Sequence, residues 1–169
     1  MQTLYLMLGY PGAGKTTTAK IIHDLTGAVH LWADHQRREL YGTPTYSHEE
    51  NVQLYDQLNS EAEDLLASGH NVIYDTNFNY VKDRRHLQAI ANRYHAKTVL
   101  IWVVVPKELA LERATDGAHL QHTRILGNMP IETFNHLATH LEEPDANEEY
   151  IELDGTKISP EYVRKTLGL

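Results

Sequence analysis

The sequence predicts an α/β fold, a single sheet of about five parallel strands with helices packed on both faces. Three observations carry that prediction. Short apolar, β-branched runs alternate with longer segments of helical period. One run, Thr98 to Val105, is continuously apolar, as in an interior parallel strand covered on both sides. Finally, Gly9-Tyr10-Pro11-Gly12-Ala13-Gly14-Lys15-Thr16 joins a strand-like run to a helix-like one and fits G-x-x-x-x-G-K-[ST], the phosphate-binding loop.

Leu4 to Leu8 is the first strand, and the segment from Thr17 to Ile22 continues the helix that follows the glycines. Val29 to Ala33 reads as the second strand. Ser47-His48-Glu49-Glu50 has the form of a capping box, with Ser47 at the N-cap and Glu50 at N3. It opens a helix ending near Ser68-Gly69, with Val52, Tyr55, Leu58, Ala62 and Leu65 as its apolar positions. Asn71 to Asp75 is the third strand, and Leu87, Ile90, Ala91 and Tyr94 mark the core stripe of the next helix. Thr98 to Val105 is expected to be a central strand, and Pro106 then starts a helix carrying Leu109 and Leu111. Pro130 precedes a helix with Phe134, Leu137, Ala138 and Leu141 on one side. Tyr150 to Leu153 is the last strand, and Ser159-Pro160 opens the last helix with a serine cap and a proline in its first turn.

The chain has 169 residues, which predicts one domain over 1–169. A net charge of −8 argues against a broad nucleic-acid surface, which would need clustered lysine and arginine. Cysteine is absent, so disulfides, thiolate chemistry and cysteine-based zinc sites are excluded. A reducing, cytoplasmic location fits that composition, and no apolar run is long enough to span a bilayer.

Ligands of such sheets bind at the carboxyl ends of the strands. Glycines let successive N–H groups of a phosphate loop point inward, and the following helix adds a positive dipole end. Gly9, Pro11, Gly12, Ala13, Gly14, Lys15, Thr16 and Thr17 are therefore expected to bind the phosphates of ATP. Lys15 should reach the β- and γ-phosphates, and the Thr16 hydroxyl should hold Mg²⁺. Asp34 follows the second strand, with Arg37 one helical turn on. Such a carboxylate can take a proton from a substrate hydroxyl, and the arginine can hold an anion or the transferring group. An N-cap aspartate beside solvated arginines would give the same pattern. Asp75 ends an apolar strand in the manner of a Walker B carboxylate toward Mg²⁺, or else caps the next helix. Arg113 and Arg124 bracket a polar segment, about 115–128, that suits a lid over the phosphates. Arg84 and Arg85 read as paired surface charges, and the acidic run around Glu142 and Glu148 as a solvated loop. His136 and His140 have ligand spacing but no glutamate between them, and His119 and His122 fall in the proposed lid. Asp154-Gly155-Thr156-Lys157 lies where adenine is often held.

The phosphate loop, Asp34-x-x-Arg37, Asp75-Thr76-Asn77 with Arg84-Arg85, and Val105-Pro106 with Leu109-x-x-x-Arg113 together resemble the kinase domain of polynucleotide 5′-hydroxyl kinases. More broadly, they are similar to small P-loop kinases that include zeta-toxin-like and chloramphenicol phosphotransferase-like enzymes. The resemblance covers about residues 1–141 and implies a three-layer P-loop kinase fold with a short lid. It implies transfer of the ATP γ-phosphate to a hydroxyl, with Lys15, Asp34, Arg37 and Arg124 catalytic. Asp34 would be the base, Asp75 would support the phosphate site with Thr16 and Mg²⁺, and Arg113 would face the adenine or phosphates. The negative charge favours a small hydroxyl-bearing acceptor over a nucleic-acid 5′ end. A nucleotide-binding regulatory module and a nucleoside monophosphate kinase stay open as alternatives.

Overall fold

The strands are β1 (Thr3–Leu8), β2 (Val29–Trp32), β3 (Val72–Asp75), β4 (Lys97–Val104) and β5 (Tyr150–Asp154). The helices are α1 (Lys15–Thr26), α2 (Ala33–Tyr41), α3 (His48–Ala67), α4 (Val81–Arg93), α5 (Lys107–Thr115), α6 (Ile131–Thr139) and α7 (Pro160–Leu167). The computed structural model describes residues 1–116 and 127–169. The strands form one sheet in the order β2-β3-β1-β4-β5, with every neighbouring pair parallel.

Alternation along β1 divides the core. Leu4, Leu6 and Leu8 join Leu31, Val72, Tyr74 and Leu100 beneath α3 and α4. Tyr5 and Met7 join Ile73, Ile101, Val103 and Leu153 beneath α1, α5, α6 and α7. Helices therefore cover both faces, as the alternating pattern predicts. β4 is an interior strand between β1 and β5 rather than the middle one, and its Trp102 and Val104 are only half-buried. No described helix is long and apolar enough to cross a membrane.

Four local expectations are corrected. Ser47 does cap α3, its hydroxyl accepting from the Glu50 N–H at 3.2 Å. The Glu50 carboxylate, however, does not close the box. It takes the Thr45 N–H at 2.7 Å, the Thr45 hydroxyl at 2.8 Å and Arg37 at 2.6 Å. The buried stripe of α3 is Leu54, Leu58, Ala62 and Leu66, whereas Val52 is exposed. Strict i, i+4 spacing along one ridge outweighs the looser apolar set that includes Val52.

Arg84 is not a surface charge. It is 2% exposed and forms a bidentate pair with Glu148, Nε to Oε1 at 2.8 Å and Nη2 to Oε2 at 2.6 Å. Its Nη1 also donates to the carbonyls of Phe78 and Glu142 at 2.9 and 3.0 Å. Arg85, by contrast, makes an exposed pair with Asp145. The acidic run is thus a strap across the start of α4, with Glu142 also accepting from the Val81 N–H at 2.7 Å. Glu148→Ala leaves the Arg84 guanidinium buried and uncompensated, so a loss of about 3–5 kcal/mol is expected in urea unfolding. Adding Arg84→Met should recover most of it. A loss below about 1 kcal/mol would show that water or other groups replace the pair.

Candidate active site

The phosphate loop turns from β1 into α1, with Gly14 in the left-handed region as the N-cap at φ 107°. Its backbone is clamped from behind. At Gly12, φ is +83°, and a Cβ there would overlap the carbonyl oxygen of Ala110 in α5. A Cβ on Gly155, in the turn after β5, would overlap the Ala13 carbonyl oxygen and a methyl of Val105. The Gly155 N–H donates to Val104 O at 2.8 Å, which keeps that turn against the sheet. Helix α5 and the β5–α7 turn thus fix the loop on the side away from the cleft.

Lys15 is 7% exposed and donates to the carbonyls of Gly9 and Tyr10, each at 2.9 Å. Burial lowers its pKa to about 8, while the carboxylates of Asp75 and Asp34 pull it back up. The sequence assigns Lys15 to the phosphates of ATP, and on that expectation only its charged form would bind, so binding would take up a proton above the free-state pKa. The Kd for Mg·ATP is therefore expected to rise by about tenfold per pH unit above pH 8, until the bound-state pKa is reached. Isothermal titration between pH 7 and 9.5 reads this directly, and a flat profile would contradict a lowered lysine.

Asp34 is the second residue of α2, where β2 has already ended at Trp32. The N-cap is Trp32, so Asp34 is not a cap. Its side chain opens to solvent through the cleft although protein surrounds it. Partial loss of water around the carboxylate raises its pKa, Asp75 raises it further, and Lys15 and Arg37 oppose both. Asp75, 3% exposed, does not cap α4, whose N-cap is Tyr80. One of its oxygens accepts from His30 Nε2 at 3.0 Å, a partner the sequence did not suggest.

Arg37 lines the cleft but is buried. Its Nη1 donates to Glu50 Oε1 at 2.6 Å, its Nη2 to Asn51 Oδ1 at 2.7 Å, and its guanidinium lies 4.8 Å from the Tyr46 ring centre. Burial raises the Glu50 pKa, but the hydrogen bonds it accepts from the Thr45 N–H and hydroxyl, from Arg37 and from the Tyr46 backbone outweigh this and lower it to about 2.

The cleft has a volume of about 830 Å³. It brings together Pro11, Gly12, Gly14, Lys15, Thr16, Thr17, Asp34, Arg37 and Asp75 of the expected residues. Gly9 and Ala13, also part of the loop, are buried and do not line the cleft. Arg113 is also outside the cleft and donates to Gly155 O at 3.1 Å, on the side of the 154–157 turn. There Asp154 Oδ1 accepts from the N–H and hydroxyl of Thr156, at 2.9 and 2.6 Å. Arg124, His119 and His122 lie outside the described residues. His136 and His140 line the cleft, and His140 Nδ1 meets the His136 carbonyl at 2.7 Å. Among the described residues no group of three acidic, histidine or cysteine side chains gathers as a metal site.

Sequence reasoning missed a polar face of α3, Asn51, Tyr55 and Asn59, which lines the same cleft. The available signal was their i, i+4, i+8 spacing, one position round from the buried ridge. Tyr55, one of the helix's expected apolar positions, both packs against the core and lines the cleft.

A family model described as AAA domain matches residues 4–143. Nothing among curated proteins matches the chain. Solved structures do. A sugar kinase from Janibacter sp. HTCC2649 aligns with TM-score 0.68 at 18% identity, over 99% of this chain and 92% of that one. The Mycobacterium tuberculosis APS kinase CysC, in complex with AMPPNP and APS, aligns with TM-score 0.69 at 15% identity, over 99% and 96%. A chain of the Pnkp1/Rnl/Hen1 complex aligns with TM-score 0.61 at 22% identity, over 73% of this chain and 42% of that one. At these identities the likeness is one of fold, and it is the α/β P-loop fold expected from the sequence.

Proposed function

As the chain belongs to the AAA domain family, we propose that it is an ATP-dependent phosphotransferase moving the γ-phosphate to a hydroxyl of a small molecule. The observation that carries this reading is the shared cleft, in which the phosphate loop and the open carboxylate of Asp34 line one cavity. The kinase fold shared with the neighbours supports it.

The loop amides and Lys15 bind the polyphosphate and offset its charge. Asp34 accepts the proton of the attacking hydroxyl and orients its oxygen in line with the γ-phosphorus. The P–O bond to the nucleoside diphosphate breaks as the new one forms. A raised pKa suits Asp34 to this work, because a stronger base takes the proton more readily. Thr16 and Asp75 are hard oxygen donors, and a hydroxyl plus one or two carboxylates fits Mg²⁺, which takes most of its remaining ligands from phosphates and water. When bound, Mg²⁺ would neutralise the β- and γ-oxygens. His30 holds one Asp75 oxygen and so limits how that carboxylate can turn. Arg113 is assigned to the adenine side and Arg124 to the lid over the phosphates.

Incubation with γ-labelled ATP and a panel of hydroxyl acceptors tests the proposal. The panel should span sugars, polyols, aminoglycosides, nucleosides, nucleoside monophosphates and 5′-hydroxyl oligonucleotides. Acceptor-dependent transfer is expected, with oligonucleotides disfavoured by the net charge of −8. Nucleotide binding without transfer across the panel would instead identify a regulatory module.

A further inference from the structure

We infer that the acceptor is a neutral, polyhydroxylated molecule held along α3 by Asn51, Tyr55 and Asn59, and that the cleft selects against anionic acceptors. This rests on the phosphotransferase reading and names the class of molecule that the cleft takes.

The three side chains stand two helical turns apart from first to last, a span of about 12 Å. Each is tied by at least one other residue, Asn51 at both ends, since its Nδ2 also donates to the Tyr46 carbonyl at 3.4 Å. Arg37 Nη2 donates to Asn51 Oδ1 at 2.7 Å, Tyr55 Oη pairs with Thr76 Oγ1 at 2.8 Å, and Tyr74 Oη donates to Asn59 Oδ1 at 2.8 Å. Tyr74 is fully buried on β3, so it sets the Asn59 amide from below. With Oδ1 engaged, Nδ2 is the group Asn59 offers to a ligand, and a hydroxyl oxygen is a suitable acceptor. Pre-set amides and hydroxyls along one ridge match a molecule with several hydroxyls at intervals.

Charge points the same way. Asp34, Asp75 and Asp83 all line the cleft. Among its described lining residues, the fixed cations are Lys15 and Arg37. Lys15 faces the loop carbonyls and is assigned to the polyphosphate. Arg37 is engaged by Glu50, Asn51 and the Tyr46 ring. A carboxylate or phosphate on the acceptor would therefore meet three carboxylates and a bound polyphosphate with no uncommitted guanidinium or ammonium among these residues. Like-charge juxtaposition of that kind discriminates strongly against the wrong ligand.

The test uses the full chain with γ-labelled ATP and matched sets of one carbon skeleton, such as sorbitol, gluconate and sorbitol 6-phosphate. Further sets are built on other hexoses, pentitols and inositol. Binding of each compound to the protein loaded with Mg·AMP-PNP is measured alongside by calorimetry. The expected result is kcat/KM for the neutral member at least about tenfold above its anionic partners, a discrimination of about 1.4 kcal/mol. For the preferred polyol, Asn59→Ala should raise the acceptor KM by about tenfold while the KM for ATP stays put. Tyr74→Phe should raise the acceptor KM by a smaller factor, since it frees the amide without removing it.

Preference for an anionic member overturns the inference and leaves the phosphotransferase reading intact. A neutral polyol that binds, loses affinity in Asn59→Ala and accepts no label overturns the phosphotransferase reading and keeps the ridge as a polyol site. Neither binding nor transfer across every set overturns the inference as well.

Discussion

Asp34→Asn is expected to lower kcat by about 10²- to 10⁴-fold, the usual worth of a positioned general base. Asparagine preserves the shape and can still hydrogen-bond the acceptor hydroxyl, but it cannot take the proton. Affinity for Mg·ATP should stay within a few-fold, because Lys15 and the loop amides are untouched. A second signature separates loss of the base from disruption of the site. The Asp34 carboxylate helps to keep Lys15 charged, so its removal lets the Lys15 pKa fall further below about 8. The rise of the Mg·ATP Kd with pH should then begin at a lower pH in Asp34→Asn than in the parent. Single-turnover rates and a pH series of binding isotherms measure both effects. Full transfer activity in the variant would remove Asp34 from the mechanism.

Lys15→Met should act in two directions. With nucleotide, the lost charge-assisted bonds are worth about 1.5–3 kcal/mol in affinity, a Kd raised by about 10- to 150-fold. A further loss of about 10²–10³ in kcat is expected, because the ammonium faces charge that develops on the transferring group. Without nucleotide, the same change should raise Tm. A lysine whose pKa is lowered by burial is charged in the fold at a cost, and at neutral pH that cost disappears with the ammonium. The variant is thus expected to be more stable and less active, with a given ATP concentration shifting its melting temperature less than in the parent. Unchanged affinity and turnover would show that the loop does not carry the triphosphate. A lower Tm in the nucleotide-free variant would mean that the two carbonyl bonds of Lys15 outweigh its desolvation.

Contiguous features were legible in the sequence. The phosphate loop is a local pattern flanked by a strand and a helix, and β1 and α1 deliver it as expected. Asp34 and Asp75 were found for a similar reason, since each follows an apolar run and a parallel sheet gathers such strand tips at one edge. Interactions across long sequence separations were hidden. Nothing around Arg84 announces Glu148, which is 64 residues on, so a buried clamp was read as a surface charge. His30 and Asp75 are likewise joined only once β2 lies beside β3. Glu50 shows a different failure. The capping-box motif is real at Ser47, but the carboxylate found stronger partners in Thr45 and Arg37 than the Ser47 N–H could offer. Arg37 follows from that, because a guanidinium expected to wait for substrate is already engaged by Glu50, Asn51 and the Tyr46 ring.

The contact between Gly155 and Ala13 bears on how this protein could be dissected or borrowed from. The nucleotide signature ends at Thr17, yet part of the wall behind it is supplied by a turn more than a hundred positions later in the chain. A fragment stopping before residue 150 would keep every letter of the signature and lose that wall. Transplanting the first 26 residues into another scaffold would meet the same difficulty unless the host supplied an equally close backbone from its last strand.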